Sequence, residues 1–249
     1  MKNKIPIFES YRCVEGEGYN IGKPVTMIRC AGCNLRCAGC DTTYSFKITN
    51  KMYKTVGEII KLIKSYSCFN VSLTGGEILL YPEAVEELIT KLSSKNYNIS
   101  LQTNGTIVTD TALSIFRRVN CVDADIKTPC TGQISDLSII KYLREKDYVK
   151  LLIRDEVDME YARMVNTIVK DYYCGIVLQP YNETILSTDP WTKCLKCGGN
   201  PDADNLLDKL KWIMEQVEND YQSKKYKWSS KLRILPQLHI LLFGNKRKV

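Results

Sequence analysis

The chain has no apolar stretch approaching the ~20 residues that would cross a bilayer. Its first residues, Met-Lys-Asn-Lys-Ile-Pro-Ile-Phe-Glu, contain no apolar run that could act as a secretory signal. Histidine is nearly absent: His239 stands alone, and no zinc-finger spacing occurs. An aromatic RNA-binding signature and a long basic stripe are also missing. The net charge of +7 is moderate. Its densest parts, Lys224-Lys225-Tyr226-Lys227 and Lys246-Arg247-Lys248, read as solvated surface. The expectation is a cytoplasmic protein with no membrane and no nucleic-acid partner, whose mild positive charge suits an anionic small substrate.

What the chain does have is cysteine. Eleven occur in 249 residues, an odd number and no framework for disulfides, and the reducing cytosol keeps thiols free for metals or catalysis. Four fall in the stretch Cys30-Ala-Gly-Cys33-Asn-Leu-Arg-Cys37-Ala-Gly-Cys40-Asp41-Thr42. Thiolates are soft donors that suit iron–sulfur clusters and zinc. A short loop bearing Gly32 and Gly39 can fold round an inorganic core.

The rest of the chain alternates. Extended apolar segments at 24–29, 70–74, 98–103, 121–126, 148–153 and 175–179 are separated by helical patterns over 55–67, from Pro82, from Thr109 or Asp110 to Arg118, near 135–146 and over 156–171. A strong helix at 204–220 and an extended segment at 231–235 follow. About six strand–helix units argue for an α/β fold with a parallel sheet and outer helices, an open, partial barrel rather than a closed eight-stranded one. A doubly wound sheet is the alternative. The barrel is favoured because the cysteine loop, Gly75-Gly76-Glu77, Thr103-Asn104-Gly105, Asp125-Ile126-Lys127 and Gln179-Pro180 all fall at C-terminal strand ends, the edge where barrels assemble active sites.

Cys33, Cys37 and Cys40 are spaced C-x3-C-x2-C. Three ligands fill three corners of a four-iron cluster and leave one iron open to a substrate, unlike the four-cysteine clusters that only carry electrons. Two C-x2-C pairs can also be drawn by including Cys30, but a zinc ribbon sets ~15–20 residues between its pairs. Cys30 lies on the strand and reads as a buried thiol. The spacing resembles the radical S-adenosylmethionine (SAM) superfamily, in which the open iron chelates the methionine end of SAM and a 5′-deoxyadenosyl radical results. Gly75-Gly76-Glu77 looks like that superfamily's motif for the SAM amino group. Asp125, Lys127 and Gln179 match its positions near the ribose, carboxylate and sulfonium. Gly39, Cys40, Asp41, Thr103, Asn104 and Ile126 complete the implied SAM contacts.

Three flanking segments narrow the resemblance: Glu15-Gly16-Glu17-Gly18, Arg29-Cys30 through Cys40-Asp41-Thr42, and Leu232-Arg-Ile-Leu-Pro236-Gln237-Leu-His239 running to Val249. Together they resemble the 7-carboxy-7-deazaguanine synthase family, in the same order and over nearly the whole chain. The resemblance implies a carbon–nitrogen lyase that contracts 6-carboxy-5,6,7,8-tetrahydropterin to 7-carboxy-7-deazaguanine and releases ammonia. It also implies a 4Fe-4S cluster, SAM regenerated in each cycle, and Mg2+ held by Thr42. Substrate contacts would come from Val14, Glu15, Gly16, Arg29, Thr74, His239 and the Val249 carboxylate, with no protein side chain as the catalyst. One domain (1–249) would hold the core at about 24–180, with segments 1–23 and 200–249 completing the substrate site. A homodimer and a flavodoxin-type or ferredoxin-type reductant are the implied partners.

Glu15 stands where the family often has Gln, Ile78 where it often has Pro, and Cys130 where it often has Ser. Cys194 and Cys197 read as a free surface pair or part of a loop insertion, and Cys68, Cys121 and Cys174 as packing residues. A different radical SAM enzyme, such as a glycyl-radical activase, and a non-catalytic zinc module are the competing readings.

Overall fold

The computed structural model describes residues 3–182 and 203–244. Nine strands make one sheet: β1 (Lys4–Val14), β2 (Pro24–Cys30), β3 (Tyr53–Thr55), β4 (Asn70–Gly75), β5 (Asn98–Thr103), β6 (Cys121–Asp125), β7 (Tyr148–Ile153), β8 (Gly175–Pro180) and β9 (Leu232–Ile234). They are ordered β3-β1-β2-β4-β5-β6-β7-β8-β9. Each pair from β2 and β4 to β8 and β9 is parallel, while β1 runs antiparallel to both β2 and β3. The sheet does not close, so the expected partial barrel is what forms.

Local chemistry sets the helix starts. Helix α1 (Val56–Ser65) opens with a capping box, in which Glu58 N–H donates to Thr55 Oγ1 at 3.3 Å and Thr55 N–H to Glu58 Oε2 at 2.7 Å. Pro82 begins α2 (Pro82–Ser93), where its missing N–H costs nothing. Thr109 caps α3 (Asp110–Arg118), and Asp155 caps α4 (Glu156–Tyr172) by accepting from Val157 and Asp158 N–H. Helices α5 (Ala203–Ser223) and α6 (Leu238–Phe243) follow. The parallel strands carry near-continuous runs of Val, Ile and Leu because helices and barrel interior cover both faces. Ile28, Leu73, Leu101, Val122, Val149, Leu151 and Ile176 are fully buried.

Two expectations need correction. The helix expected near 135–146 is instead a six-residue 3-10 turn, Leu137–Tyr142, capped by Asp136. Leu137, Ile140 and the following Leu143 recur every third position, the period of that tighter helix. The N-terminal segment holds an eleven-residue strand, β1, that the alternation did not reveal. Glu9 masks it: this carboxylate is buried because it lies opposite Arg29 on β2 and accepts from Arg29 Nε at 3.0 Å.

Candidate active site

The C-terminal ends of the parallel strands surround one cavity of about 650 Å3, within the range of small-molecule sites. One wall is the cysteine loop. Cys33, Cys37 and Cys40 all line the cavity, whereas Cys30 does not and is fully buried on β2. The loop is held by backbone bonds from three directions. Gly32 N–H donates to Ser45 O (2.8 Å), Ala38 N–H to Thr131 O (2.9 Å) and Glu77 N–H to Gly32 O (2.9 Å). Tyr81 OH adds a bond to Ala31 O at 2.8 Å. Asn104 ties β5 to the same loop, its Nδ2 donating to Asn34 Oδ1 at 2.9 Å and lying 3.9 Å from Cys33 Sγ.

Gly75 and Gly76 have a specific reason to be glycine. Gly75 sits at φ +150°, and a Cβ there would strike the Cys30 backbone; a Cβ on Gly76 would run into the Gly32 carbonyl oxygen. The close approach expected between this pair and a ligand is first an approach to the cysteine loop itself. Both glycines nevertheless line the cavity. Glu77 does not. Its carboxylate is buried behind the wall, accepting from Leu79 N–H and Thr103 Oγ1 at 2.9 Å and from Asn104 N–H at 2.7 Å. Burial raises its pKa against these three donors.

The other expected residues divide in the same way. Val14, Glu15, Gly16, Arg29, Gly39, Asp41, Thr42, Thr74, Thr103, Asn104, Asp125, Lys127 and His239 line the cavity. Asp125 and Lys127 form an ion pair there at 2.9 Å. Thr42 Oγ1 lies 3.5 Å from Cys40 Sγ. Ile126 is a core residue, and Gln179 is fully buried with its amide donating to Pro236 O at 3.3 Å. Val249, Cys194 and Cys197 lie outside the described residues.

The floor opposite the cysteines is a charged group. Lys150 Nζ donates to Glu17 Oε2 at 2.8 Å and lies 3.3 Å from Asp123 Oδ2. Gln237 Nε2 donates to Glu17 Oε1 at 2.8 Å. Burial works against the charge on Glu17, but Lys150 and then His239 outweigh it and hold the carboxyl down at about 2. Glu15 and Asp123 go the other way: burial pushes them up to about 7 and about 6. The C-terminal segment closes this end. Leu238 N–H donates to Gly16 O at 2.9 Å, and the His239 ring occupies the space a side chain on residue 16 would need.

Glu17, Lys150 and Gln237 were not singled out from sequence. A signal existed for Lys150, a lysine inside the otherwise apolar strand Tyr-Val-Lys-Leu-Leu-Ile. A buried lysine requires a partner, and Glu17 in Glu-Gly-Glu-Gly was an available carboxylate.

The residues present fit an iron–sulfur cluster. Three thiols face one cavity from a backbone-braced loop. A four-iron core is ligated from around its outside, so thiols spread along one wall suit it. The Cys40 thiol, pushed up to about 12 by burial and then by Asp41, would give up its proton on ligation. Backbone and polar groups at Gly75–Gly76, Thr103–Asn104 and the Asp125–Lys127 pair leave a mixed-charge wall next to the thiols, suited to a zwitterionic ligand.

A family model described as Radical SAM superfamily matches residues 27–130. The 7-carboxy-7-deazaguanine synthase of Methanospirillum hungatei is 33% identical over 159 residues, covering 64% of this chain and 65% of that protein. The chain therefore spans just under two thirds of that relative's length. The Bacillus subtilis protein of the same name is 27% identical over 267 residues and is covered, like this chain, to 100%. Among solved structures, the crystal structure of QueE from Escherichia coli matches with a TM-score of 0.60 at 21% identity, over 78% of this chain and 89% of that chain. At that identity the likeness speaks for the fold alone.

Proposed function

The chain belongs to the 7-carboxy-7-deazaguanine synthase family, and from that premise we propose that it converts 6-carboxy-5,6,7,8-tetrahydropterin to 7-carboxy-7-deazaguanine and ammonia, for queuosine or another deazapurine. It is a radical SAM lyase, dependent on a 4Fe-4S cluster and SAM. When bound, these groups supply hydrogen-atom abstraction from an unactivated carbon. The observation that carries the proposal is that three thiols, a glycine wall, an arginine and a buried carboxylate–lysine floor share one cavity.

Each end of the cavity has its own task. Cys33, Cys37 and Cys40 hold the cluster. Gly75, Gly76, Thr103, Asn104 and the Asp125–Lys127 pair hold SAM, while Glu77 positions Thr103 and Asn104 from behind. Arg29 receives the substrate carboxylate. Glu9 accepts from its Nε and Tyr11 also hydrogen-bonds it, which fixes the plane of the guanidinium that meets the carboxylate. The Thr42 hydroxyl holds Mg2+ together with substrate and waters, a donor set such an ion tolerates. Val14, Glu15, Gly16, Thr74 and His239 meet the flat heterocycle, with Glu17 and Lys150 beneath it. The tail, bonded to Gly16 and Glu17, excludes water from that end.

We read the chain as one domain, with β1 and the C-terminal segment serving the core. A homodimer, a flavodoxin-type or ferredoxin-type reductant and a cytoplasmic location complete the reading. No described helix is long and apolar enough to cross a membrane.

The test is anaerobic incubation of reconstituted, reduced protein with SAM, Mg2+ and the carboxytetrahydropterin. The deazaguanine product should appear by mass spectrometry. Its absence from a preparation that still cleaves SAM would sink the substrate assignment and leave another radical reaction.

A further inference from the structure

One aromatic side chain on the cavity wall is tied both to Arg29 and to the turn that follows Thr42. Tyr44 lines the cavity with these two residues. Its hydroxyl donates to Glu9 Oε1 at 3.4 Å, the same oxygen that accepts from Arg29 Nε at 3.0 Å. The phenol therefore stands beside the guanidinium. Its backbone belongs to the 3-10 turn Thr43–Ser45, which Thr42 opens. Ser45 N–H and Ser45 Oγ both donate to Thr42 O at 2.9 Å, so the turn is fixed on that residue.

An irregularity in β1 builds this placement. Neighbouring residues of a regular strand point to opposite faces, yet Phe8 and Glu9 both reach Tyr44. The Phe8 and Tyr44 ring centres are 5.2 Å apart. The register gives the reason: Ile7 pairs with Cys30 and Glu9 with Arg29, so β1 carries Phe8 as one extra residue against β2. Such a bulge re-aims side chains and is common beside active sites. Here it packs Phe8 on the Tyr44 ring and sets the Glu9 carboxylate against both the phenol and the guanidinium.

We infer that Tyr44 is a specificity-determining residue, whose hydroxyl donates to the substrate carboxylate beside Arg29. The inference rests on the assignment of that carboxylate to Arg29. An O–H bond to a carboxylate is short and strong. A site built to hydrogen-bond one group rejects an analogue that lacks it, because its donors are then left unpaired. The phenol thus adds to the selection of a carboxylated ring, and Phe8 supplies its position.

The experiment uses the oxidised, reconstituted holoenzyme with SAM and Mg2+ under anaerobic conditions, with no electron donor, so that nothing turns over. Two probes are titrated calorimetrically: 6-carboxytetrahydropterin and the tetrahydropterin that lacks the carboxyl. The wild type should prefer the carboxylated compound by on the order of a hundredfold. In Tyr44→Phe, which keeps the ring against Phe8, this preference should fall by about tenfold, through weaker binding of the carboxylated compound alone. Iron content and SAM affinity should match the wild type. A preference that Tyr44→Phe leaves unchanged overturns the assignment. Equal weakening of both compounds overturns it too, since that is the mark of a packing role. A wild type that binds the two compounds alike, or binds neither, overturns the carboxylate reading at Arg29, and the role of Tyr44 falls with it.

Discussion

Replacing Glu15 with glutamine should remove a pH-dependent instability at the floor of the cavity. Glu15 is only 4% exposed. Burial, followed by the nearby Glu17 and Asp123 carboxylates, raises its carboxyl from 4.5 to about 7, with Ser72 and Lys150 offsetting part of the effect. The charged groups that act on it are Glu17 beyond β1, Asp123 on β6 and Lys150 on β7. A folded state that holds a proton more tightly than the unfolded chain gains stability at low pH. That gain is whole below about pH 4.5 and is lost as the pH rises through about 7. The loss from Glu15 amounts to about 3 kcal/mol by pH 8, a large share of the ~5–15 kcal/mol typical of a folded protein. Glutamine keeps the shape and has no charge to bury. Urea unfolding under anaerobic conditions, followed by circular dichroism at pH 5 and pH 8, should show the variant gaining about 2.5 kcal/mol on the wild type between the two. A wild-type pH slope that the variant reproduces would refute the buried, proton-holding state of Glu15.

The cysteines should separate by role: Cys30→Ala should keep the visible absorbance of the cluster and cost only about 1 kcal/mol of stability, while Cys33→Ala should lose cluster iron, as measured by metal analysis. Gly76→Ala drives a Cβ into the Gly32 carbonyl oxygen, so iron content after reconstitution should fall although no ligand has changed. Gly16→Ala should push the His239 ring off the cavity wall and raise KM on the order of tenfold, with SAM cleavage in the absence of substrate unaffected. For Arg29→Lys, the loss of the planar fork should also raise KM, by tenfold or more, whereas an unchanged KM would remove Arg29 from the substrate carboxylate.

The parallel part of the fold was legible because its signals are local. The cap at Thr109, proline at the start of α2, and short Val/Ile/Leu runs each report the structure of their own few residues. The antiparallel β1 was not legible in that way. Its pattern makes sense only once Arg29 stands opposite Glu9, and that pairing joins residues far apart in the chain. The segment 137–142 was misjudged for a different reason. Its apolar residues suit a helix, but a period of three rather than 3.6 selects the tighter turn.

The site shows the same division between local and distant signals. Spacing within one loop was enough to separate Cys33, Cys37 and Cys40 from Cys30, because strand membership buries Cys30 while the loop carries the others to the cavity. Spacing could not show what Glu77 does. A glutamate beside two glycines suggests a ligand contact, yet Leu79 N–H, Thr103 Oγ1 and Asn104 N–H all converge on its carboxylate. Lys150 is the converse case: its ammonium looks out of place in β7 until Glu17 and Asp123 arrive from two other elements. A lysine that is buried only with both partners cannot be removed alone without leaving two carboxylates unpaired. Loss of function in a Lys150→Met variant is therefore ambiguous unless Glu17→Gln and Asp123→Asn are introduced in the same background. If the group acts on the heterocycle, the triple variant remains inactive; if the lysine only neutralises its two carboxylates, removing all three charges restores turnover.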